Sequence, residues 1–171
     1  MTTQTLDRIL TCYRIGDPNG EFPIFDARGS ALYPGRWNTA DTPVIYTSEH
    51  YSTAMLEKLA VGNGRIPPNQ HYIEITIPNG ASYEIVTKDR LLSWDTPDPT
   101  SSRTFGAAWV REIRSAILIV PSYVARLDHN IIINPLHEES KKMEFSLATP
   151  VWWDHRLYAK DCSHTPALED S

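Results

Sequence analysis

Thirteen prolines and eight glycines are spread along this chain of 171 residues, and their spacing limits the structures that it can form. Proline lacks a backbone N–H and disrupts helix interiors, and glycine favours turns. The chain is therefore divided into short segments, which favours strands and loops over long helices. The segment 16–38 is rich in both residue types, and a loop of this length inside a compact domain is usually functional.

Short apolar segments predict the strands. Within 71–77, every second residue is an isoleucine, which is the period of a half-buried strand. Apolar runs at 116–120 and 131–133 end at or near a proline and indicate buried strands. Further strands are predicted at 12–15, 44–46 and 82–86, and at 145–153 with an interruption at Pro150.

Two segments carry helical periodicity. The first runs from about Glu49 to Val61, with Thr47 or Ser48 as its cap and Gly62 at its end. Its predicted buried stripe consists of Tyr51, Met55, Leu56 and Leu59. The second helix is predicted at 100–114, with an apolar side formed by Phe105, Ala108, Trp109 and Ile113.

These elements predict one mixed α+β domain of many short strands and a few helices, in residues 1–160. A flexible polar tail is predicted at 161–171. Cys12 and Cys162 could form one disulfide, but reduced thiols in a cytoplasmic protein are the favoured interpretation.

Composition and motifs exclude several function classes. The net charge of -5 argues against a large nucleic-acid-binding face. No stretch approaches the roughly 18 apolar residues of a membrane span, and the polar N-terminus does not resemble a signal peptide. There is no HExxH, CxxC, GxGxxG or P-loop motif, so we expect no metal and no Rossmann or P-loop mode of nucleotide binding.

The candidate functional residues concentrate in one stretch of the sequence. Gly35-Arg36-Trp37-Asn38 is followed by Tyr46-Thr47-Ser48 and then by Glu57, and Arg14 lies a short way upstream. Guanidinium groups bind phosphates, aromatic rings stack on flat rings, and a carboxylate stabilises a developing sugar cation. This combination favours a site that binds a dinucleotide and breaks its sugar–base bond.

The order of these landmarks resembles the RES domain family, which is named for an arginine, a glutamate and a serine. The resemblance runs from about Tyr13 to His137 and rests on an ordered set of segments: Tyr13-Arg14, Phe25-Asp26, Gly35-Arg36-Trp37-Asn38, 44–48, 54–57, 120–122, Asn130 and Asn134-Pro135. It implies a bacterial toxin with a fold similar to the ADP-ribosyltransferase toxins. It also implies NAD+ as the substrate, no cofactor, and an Xre-type helix-turn-helix antitoxin as the partner.

The resemblance assigns the name-giving positions to Arg14, Glu57 and Ser122, and further active-site positions to Arg36 and Tyr46. It implies that Glu57, Arg14 and Tyr46 are catalytic. It implies NAD+ binding by Arg14, Arg36, Tyr46 and Ser122. Glu57 is expected to bond the ribose and stabilise its positive charge. The two arginines suit the pyrophosphate or the ribose, and Tyr46 suits the nicotinamide ring. Ser122 would bond either the nicotinamide amide or a phosphate.

Each of these residues also has a structural interpretation. Taken alone, Glu57 is a solvated helix residue paired with a lysine, and Arg36 stacks on Trp37. Asn130, Asn134 and His137 have the character of turn and loop residues. Trp152 and Trp153 indicate a core or an interface.

Three functions remain open from the sequence. The first is NAD+ cleavage with water or inorganic phosphate as the acceptor. The second is ADP-ribosylation of a protein, which is weakly disfavoured because Met55, rather than an acidic residue, stands two positions before Glu57. The third is a non-catalytic protein whose acidic charge suits a basic DNA-binding partner. A homodimer also stays open.

Overall fold

The computed structural model describes residues 2–158, so the predicted tail and Cys162 lie outside the described residues. This part contains three α-helices, α1 (Arg28–Leu32), α2 (Tyr51–Val61) and α3 (Thr100–Arg111). Two short 3-10 helices span Glu138–Lys142 and His155–Leu157. None of the helices in residues 2–158 is long and apolar enough to cross a membrane.

Nine strands form one sheet. In chain order they are β1 (Gln4–Thr5), β2 (Leu10–Gly16), β3 (Ile45–Ser48), β4 (His71–Ile77), β5 (Ser82–Ile85), β6 (Ile117–Pro121), β7 (His129–Ile133), β8 (Glu144–Phe145) and β9 (Thr149–Pro150). Their spatial order is β1-β5-β6-β7-β3-β2-β4-β8, and β9 also pairs with β4. All pairs are antiparallel except β5–β6, whose connection contains α3, as a parallel pair requires a crossover.

The sheet is nearly divided between β2 and β3. The strand β2 pairs with β4 along its whole length but with β3 at one position, Tyr13 opposite Ser48. On its other side, β3 pairs with β7 at all four of its residues. The two strands therefore diverge, and the Tyr46 carbonyl accepts a hydrogen bond from the Arg14 guanidinium at 3.4 Å. This divergence opens a cleft in the middle of the sheet.

Both faces of the central strands are covered. Ile117, Ile131 and Ile133 belong to one core cluster, while Leu118 and Ile132 belong to a second cluster on the opposite face. This explains the uninterrupted apolar runs in β6 and β7, because side chains alternate between the faces of a strand. The second cluster also contains Trp37, Val44, Trp94 and, from α3, Trp109 and Val110.

The structure corrects the predicted start of α2. Its N-cap is His50, whose side chain makes no capping hydrogen bond. Thr47 and Ser48 instead belong to β3, because pairing with β7 continues through Ser48. Their hydroxyls donate to the Ile131 carbonyl and to the Asn130 side chain. Leu56 is 46% exposed and does not belong to the buried stripe, in which Ala54 is buried and the partly buried Tyr51 and Met55 pack against the same cluster.

Other boundaries also differ from the predictions. The short helix α1 lies inside the predicted loop 16–38. The helix α3 ends at Arg111, and the next residues leave the helix with Ile113 at a positive φ of 47°. The predicted strand at 145–153 is two separate two-residue strands, β8 and β9. Trp152 is 77% exposed, whereas Trp153 packs against the cluster that holds α2.

Candidate active site

Four of the five predicted site residues line one cavity of about 620 Å³ at the cleft between β2 and β3: Arg14, Arg36, Tyr46 and Glu57. They come from β2, the loop after α1, β3 and α2, so they are brought together by the fold. Tyr13 also lines the cavity, although the sequence interpretation gave it no role. The fifth residue, Ser122, is fully buried behind Glu57.

One face of α2 borders the cavity. Five of its residues line the cavity: Ala54, Glu57, Lys58, Ala60 and Val61. All but Ala60 stand at positions i, i+3, i+4 and i+7. Residues with this spacing share one side of an α-helix. The helix therefore presents a carboxylate and an ammonium side by side to the same cavity.

The Glu57 carboxylate is held by one of its two oxygens. Its Oε1 accepts hydrogen bonds from Ser122 Oγ at 2.9 Å and from Asn130 Nδ2 at 2.5 Å. No donor among residues 2–158 bonds to Oε2, and this oxygen is not fully buried. One oxygen thus fixes the carboxylate and leaves the other available to a ligand.

The two residues that hold Glu57 are themselves fixed. The Ser122 hydroxyl accepts a hydrogen bond from the Ala125 amide at 3.0 Å. The side-chain oxygen of Asn130 accepts one from the Ser48 hydroxyl at 2.8 Å, which sets the direction of the amide. The geometry favours a positioning role for Ser122, and its predicted contact with substrate stays a prediction.

Asn130 lines the cavity, although its sequence indicated a turn or loop residue. It lies in β7 directly opposite Ser48 of β3. The sequence did offer a signal, because Asn130 stands directly before three isoleucines. A polar side chain at the end of a buried strand needs a hydrogen-bond partner. The sequence alone did not show that this partner is Glu57.

The hydroxyl of Tyr46 makes two hydrogen bonds to the loop beside it. It donates to Asn38 Oδ1 and accepts from the Trp37 amide, each at 2.9 Å. Burial raises the pKa of Tyr46, so the hydroxyl stays protonated at neutral pH. Tyr46 lines the cavity while its polar end fixes the loop.

We call residues 35–38 the GRWN segment. Asn38 is fully buried, and its side chain also accepts from the Gly35 amide at 2.8 Å and donates to the Ser30 and Thr39 carbonyls. A Cβ at position 35 would lie 2.6 Å from the Tyr46 hydroxyl, so the close approach requires glycine. From α3, Arg103 donates to the Gly35 carbonyl at 2.8 Å.

The two predicted phosphate-binding arginines differ in their contacts. Arg36 donates to the carbonyls of Trp94 and Thr96, at 3.0 and 2.8 Å, and its guanidinium lies 4.0 Å from the ring centre of Tyr123. The stacking partner is therefore Tyr123 rather than Trp37. Arg14 makes one hydrogen bond within residues 2–158, the long one to Tyr46. Burial lowers the pKa of Arg14 to about 10, although the charge of Asp26 acts against this.

Lys58 is a cavity residue that the sequence interpretation missed. Burial lowers its pKa, and the nearby charge of Arg14 lowers it further, while Asp17 opposes both. The sequence did offer a signal: Lys58 stands four residues after Ala54 and directly after Glu57, so it lies on the same side of the predicted helix as Ala54. Within residues 2–158, no group of three or more His, Cys, Asp or Glu side chains could hold a metal ion.

The chain belongs to the RES domain family, because the RES domain model matches residues 11–154. This confirms the resemblance. A relative from Sphingobium sp. (strain YBL2), named Prs ADP-ribosylating toxin, is 31% identical over 137 residues, which cover 77% of this chain and 85% of that protein. A relative from Photorhabdus laumondii subsp. laumondii, named Toxin Res, is 32% identical over 117 residues, covering 67% and 74%.

A solved structure supports the fold. A chain of the M. tuberculosis MbcT–MbcA toxin–antitoxin complex superposes with a TM-score of 0.66 over 85% of each chain, at 15% sequence identity. This likeness confirms the predicted mixed α+β fold.

Proposed function

We propose that this protein is the toxin of a bacterial toxin–antitoxin pair and that it cleaves the nicotinamide–ribose bond of NAD+. The observation that carries the proposal is the Glu57 carboxylate, with one oxygen anchored and the other available in a cavity that also contains Arg14 and Tyr46. The names of two relatives, Toxin Res and Prs ADP-ribosylating toxin, support the same class.

The chemistry requires charge stabilisation more than acid catalysis. When the bond between ribose C1′ and nicotinamide breaks, its electron pair leaves with the ring nitrogen, and nicotinamide departs neutral. Positive charge then develops on the ribose. Glu57 Oε2 would accept a hydrogen bond from a ribose hydroxyl and stabilise this charge, as carboxylates do in sugar transfer generally. Water or inorganic phosphate adds to C1′ and loses a proton to complete the reaction.

The cavity fits a substrate of this kind. Its volume of about 620 Å³ falls within the range of about 300–1,000 Å³ that is usual for small-molecule sites. Tyr13 and Tyr46 supply aromatic rings for the nicotinamide, and Arg14 supplies a positive charge for the pyrophosphate. NAD+ is the substrate in this proposal, and the mechanism uses no metal or cofactor.

The direct test is nicotinamide release by the purified protein, with Glu57→Gln as the variant. Glutamine keeps a side-chain oxygen for Ser122 and Asn130, so the variant removes the charge with little change in the anchor. We expect the rate to fall about 10²–10³-fold, as for other electrostatic groups of this kind. Glu144→Gln is the matched control, because Glu144 is exposed on the edge strand β8.

Two outcomes would overturn the proposal. Equal rates for the parent protein and Glu57→Gln would remove Glu57 from the mechanism. A complete lack of NAD+ turnover by protein freed of any partner would favour the non-catalytic alternative. Product analysis with and without phosphate separates hydrolysis from phosphorolysis.

A protein acceptor is the second candidate, because one relative is named as an ADP-ribosylating toxin. In that reaction a nucleophilic side chain of the target, rather than water or phosphate, would add to C1′. Labelled NAD+ in a cell lysate distinguishes the two. One discrete labelled protein band supports transfer, and label confined to small products supports degradation.

The proposed partner is an Xre-type helix-turn-helix antitoxin in the cytoplasm. The structural neighbour was solved in a toxin–antitoxin complex, and the net charge of -5 suits a basic DNA-binding protein. A small helix-turn-helix protein encoded next to this chain should co-purify with it and suppress its NAD+ turnover. Failure to co-purify would contradict this pairing.

A further inference from the structure

One wall of the cavity carries two positive charges without a paired carboxylate. Arg14 of β2 and Lys58 of α2 both line the cavity. Neither forms an ion pair with any carboxylate in residues 2–158. The guanidinium of Arg14 makes one long hydrogen bond there, to the Tyr46 carbonyl at 3.4 Å.

This arrangement is electrostatically unfavourable in the absence of a ligand. Burial and the charge of Arg14 both lower the pKa of Lys58, and burial lowers the pKa of Arg14 to about 10. Asp26 is the carboxylate whose charge acts on the pKa of Arg14, but it forms an ion pair with Arg28, with 2.7 Å between Asp26 Oδ2 and Arg28 Nη2. Two partly desolvated cations that form no ion pair are stabilised when an anion binds between them.

We propose that Arg14 and Lys58 together form an anion subsite that takes a phosphate group, and that Lys58 rather than Arg36 is its second cation. Arg36 is less suited because its Nη1 already donates to two backbone carbonyls and its guanidinium stacks on the Tyr123 ring. The inference rests on the proposed function for the identity of the substrate, a pyridine dinucleotide.

The position of Lys58 places this subsite beside the part of the cavity where the ribose of the substrate would react. Glu57 and Lys58 are consecutive residues of α2, and both side chains line the same cavity. A phosphate held at Lys58 therefore lies close to the sugar held at Glu57. Two sources fit this place: the pyrophosphate of the dinucleotide, and free inorganic phosphate that acts as the acceptor.

The experiment measures binding rather than turnover. Calorimetric titration with ADP-ribose, inorganic phosphate and phosphate-free adenosine is compared for the parent protein, Lys58→Gln and Lys58→Arg. The matched control is Lys88→Gln, because Lys88 is exposed and lies outside this cavity. Loss of one charge-assisted contact should weaken binding of the phosphate ligand about tenfold in Lys58→Gln and leave adenosine unaffected.

The two sources give different results. If the subsite takes the pyrophosphate, Lys58→Gln weakens ADP-ribose binding, and inorganic phosphate competes with ADP-ribose. If it takes free phosphate, Lys58→Gln weakens phosphate binding, and the parent protein binds phosphate and ADP-ribose together. Either result supports the subsite, and Lys58→Arg should restore most of the affinity.

Unchanged affinities of Lys58→Gln for ADP-ribose and for inorganic phosphate would overturn the proposal. The same follows if Lys88→Gln weakens binding as much as Lys58→Gln does. Because these probes bind without reacting, the result is independent of catalysis. A protein that releases no nicotinamide but shows the Lys58 effect would refute NAD+ cleavage and retain the subsite.

Discussion

The two walls of the cavity use their polar groups in opposite ways. On one wall, the GRWN segment and Tyr46 form several hydrogen bonds with the protein itself, through Asn38, Arg103 and the Trp37 amide. On the other wall, Arg14, Lys58 and Glu57 Oε2 are left with few or no protein partners in residues 2–158.

This difference separates the groups that shape the site from those that are available to bind. A satisfied hydrogen-bonding group that also contacts a ligand must give up a partner, whereas an unsatisfied one gains a partner when the ligand binds. Arg14 and Arg36 illustrate the contrast. The sequence analysis suits both to the pyrophosphate or the ribose, but Arg36 bonds to the carbonyls of another loop while Arg14 makes one long hydrogen bond at the cleft.

We call the wall formed by the GRWN segment and Tyr46 the closed wall, and the wall formed by Arg14, Lys58 and Glu57 the open wall. The largest expected effect is a loss of folding stability when the closed wall loses a hydrogen bond. Tyr46→Phe leaves the Trp37 amide without its partner and removes one of the two donors to Asn38 Oδ1. Losing the partners of buried polar groups typically costs about 1–3 kcal/mol, so we expect unfolding free energy to fall by about 2 kcal/mol. Urea denaturation measures this change.

The control for Tyr46→Phe is Tyr33→Phe, because Tyr33 also lines the cavity but is 83% exposed. Its stability should not change measurably. A Tyr46→Phe variant that keeps full stability and loses NAD+ turnover would show that the hydroxyl acts on substrate. The contrast between the two walls would then fail at this residue.

A smaller effect is expected on kcat when Glu57, in the open wall, loses one of its two hydrogen-bond donors. Asn130→Ala removes the 2.5 Å hydrogen bond to Glu57 and leaves Ser122 as the remaining anchor. We expect kcat to fall about tenfold, because misplacing a charge-stabilising group weakens it less than deleting it. Nicotinamide release at saturating NAD+ measures the loss.

A second background tests whether Asn130 acts through Glu57. In the Glu57→Gln protein, adding Asn130→Ala should cost much less than tenfold, because residues that act as one unit are not additive. Equal losses in both backgrounds would show that Asn130 works independently of Glu57, through the substrate or the fold.

Sequence patterns predicted most of the strands, since alternation in 71–77 and the apolar runs at β6 and β7 depend on local residue types. They failed where pairing with a distant strand decided the outcome. Thr47 and Ser48 have good capping side chains, yet pairing with β7 draws them into β3. The two short strands at β8 and β9 likewise depend on the edge of β4.

The same limit applies to the site. Arg14, Arg36, Tyr46 and Glu57 could be named because their types and order are recognisable, and all four line the cavity. Their contacts could not be predicted. The bond from Asn130 to Glu57 joins positions 73 residues apart, and the role of Lys58 depends on how α2 faces β2. Long-range contacts of this kind leave no local pattern in a single sequence.

The smallest expected effect is a gain in stability at the open wall. Because folding lowers the pKa of Arg14 to about 10, the protonated guanidinium is less favourable in the folded state than in the unfolded chain. This loss of folding stability is fully present at neutral pH. It decreases as the pH rises from the pKa of Arg14 in the folded protein towards its pKa in the unfolded chain. Arg14→Met keeps an apolar stem and removes the charge, so the ligand-free protein should gain about 1 kcal/mol, allowing for solvent screening.

The control is Arg65→Met, because Arg65 is exposed just after α2 and should leave both stability and binding unchanged. Thermal unfolding at pH 7 without ligand gives the stability, and ADP-ribose titration gives the affinity. We expect Arg14→Met to melt higher while it loses ADP-ribose binding, which is the signature of a charge retained for a ligand. A lower melting temperature would instead place Arg14 among the residues that hold the cleft together, and the distinction from Arg36 would disappear.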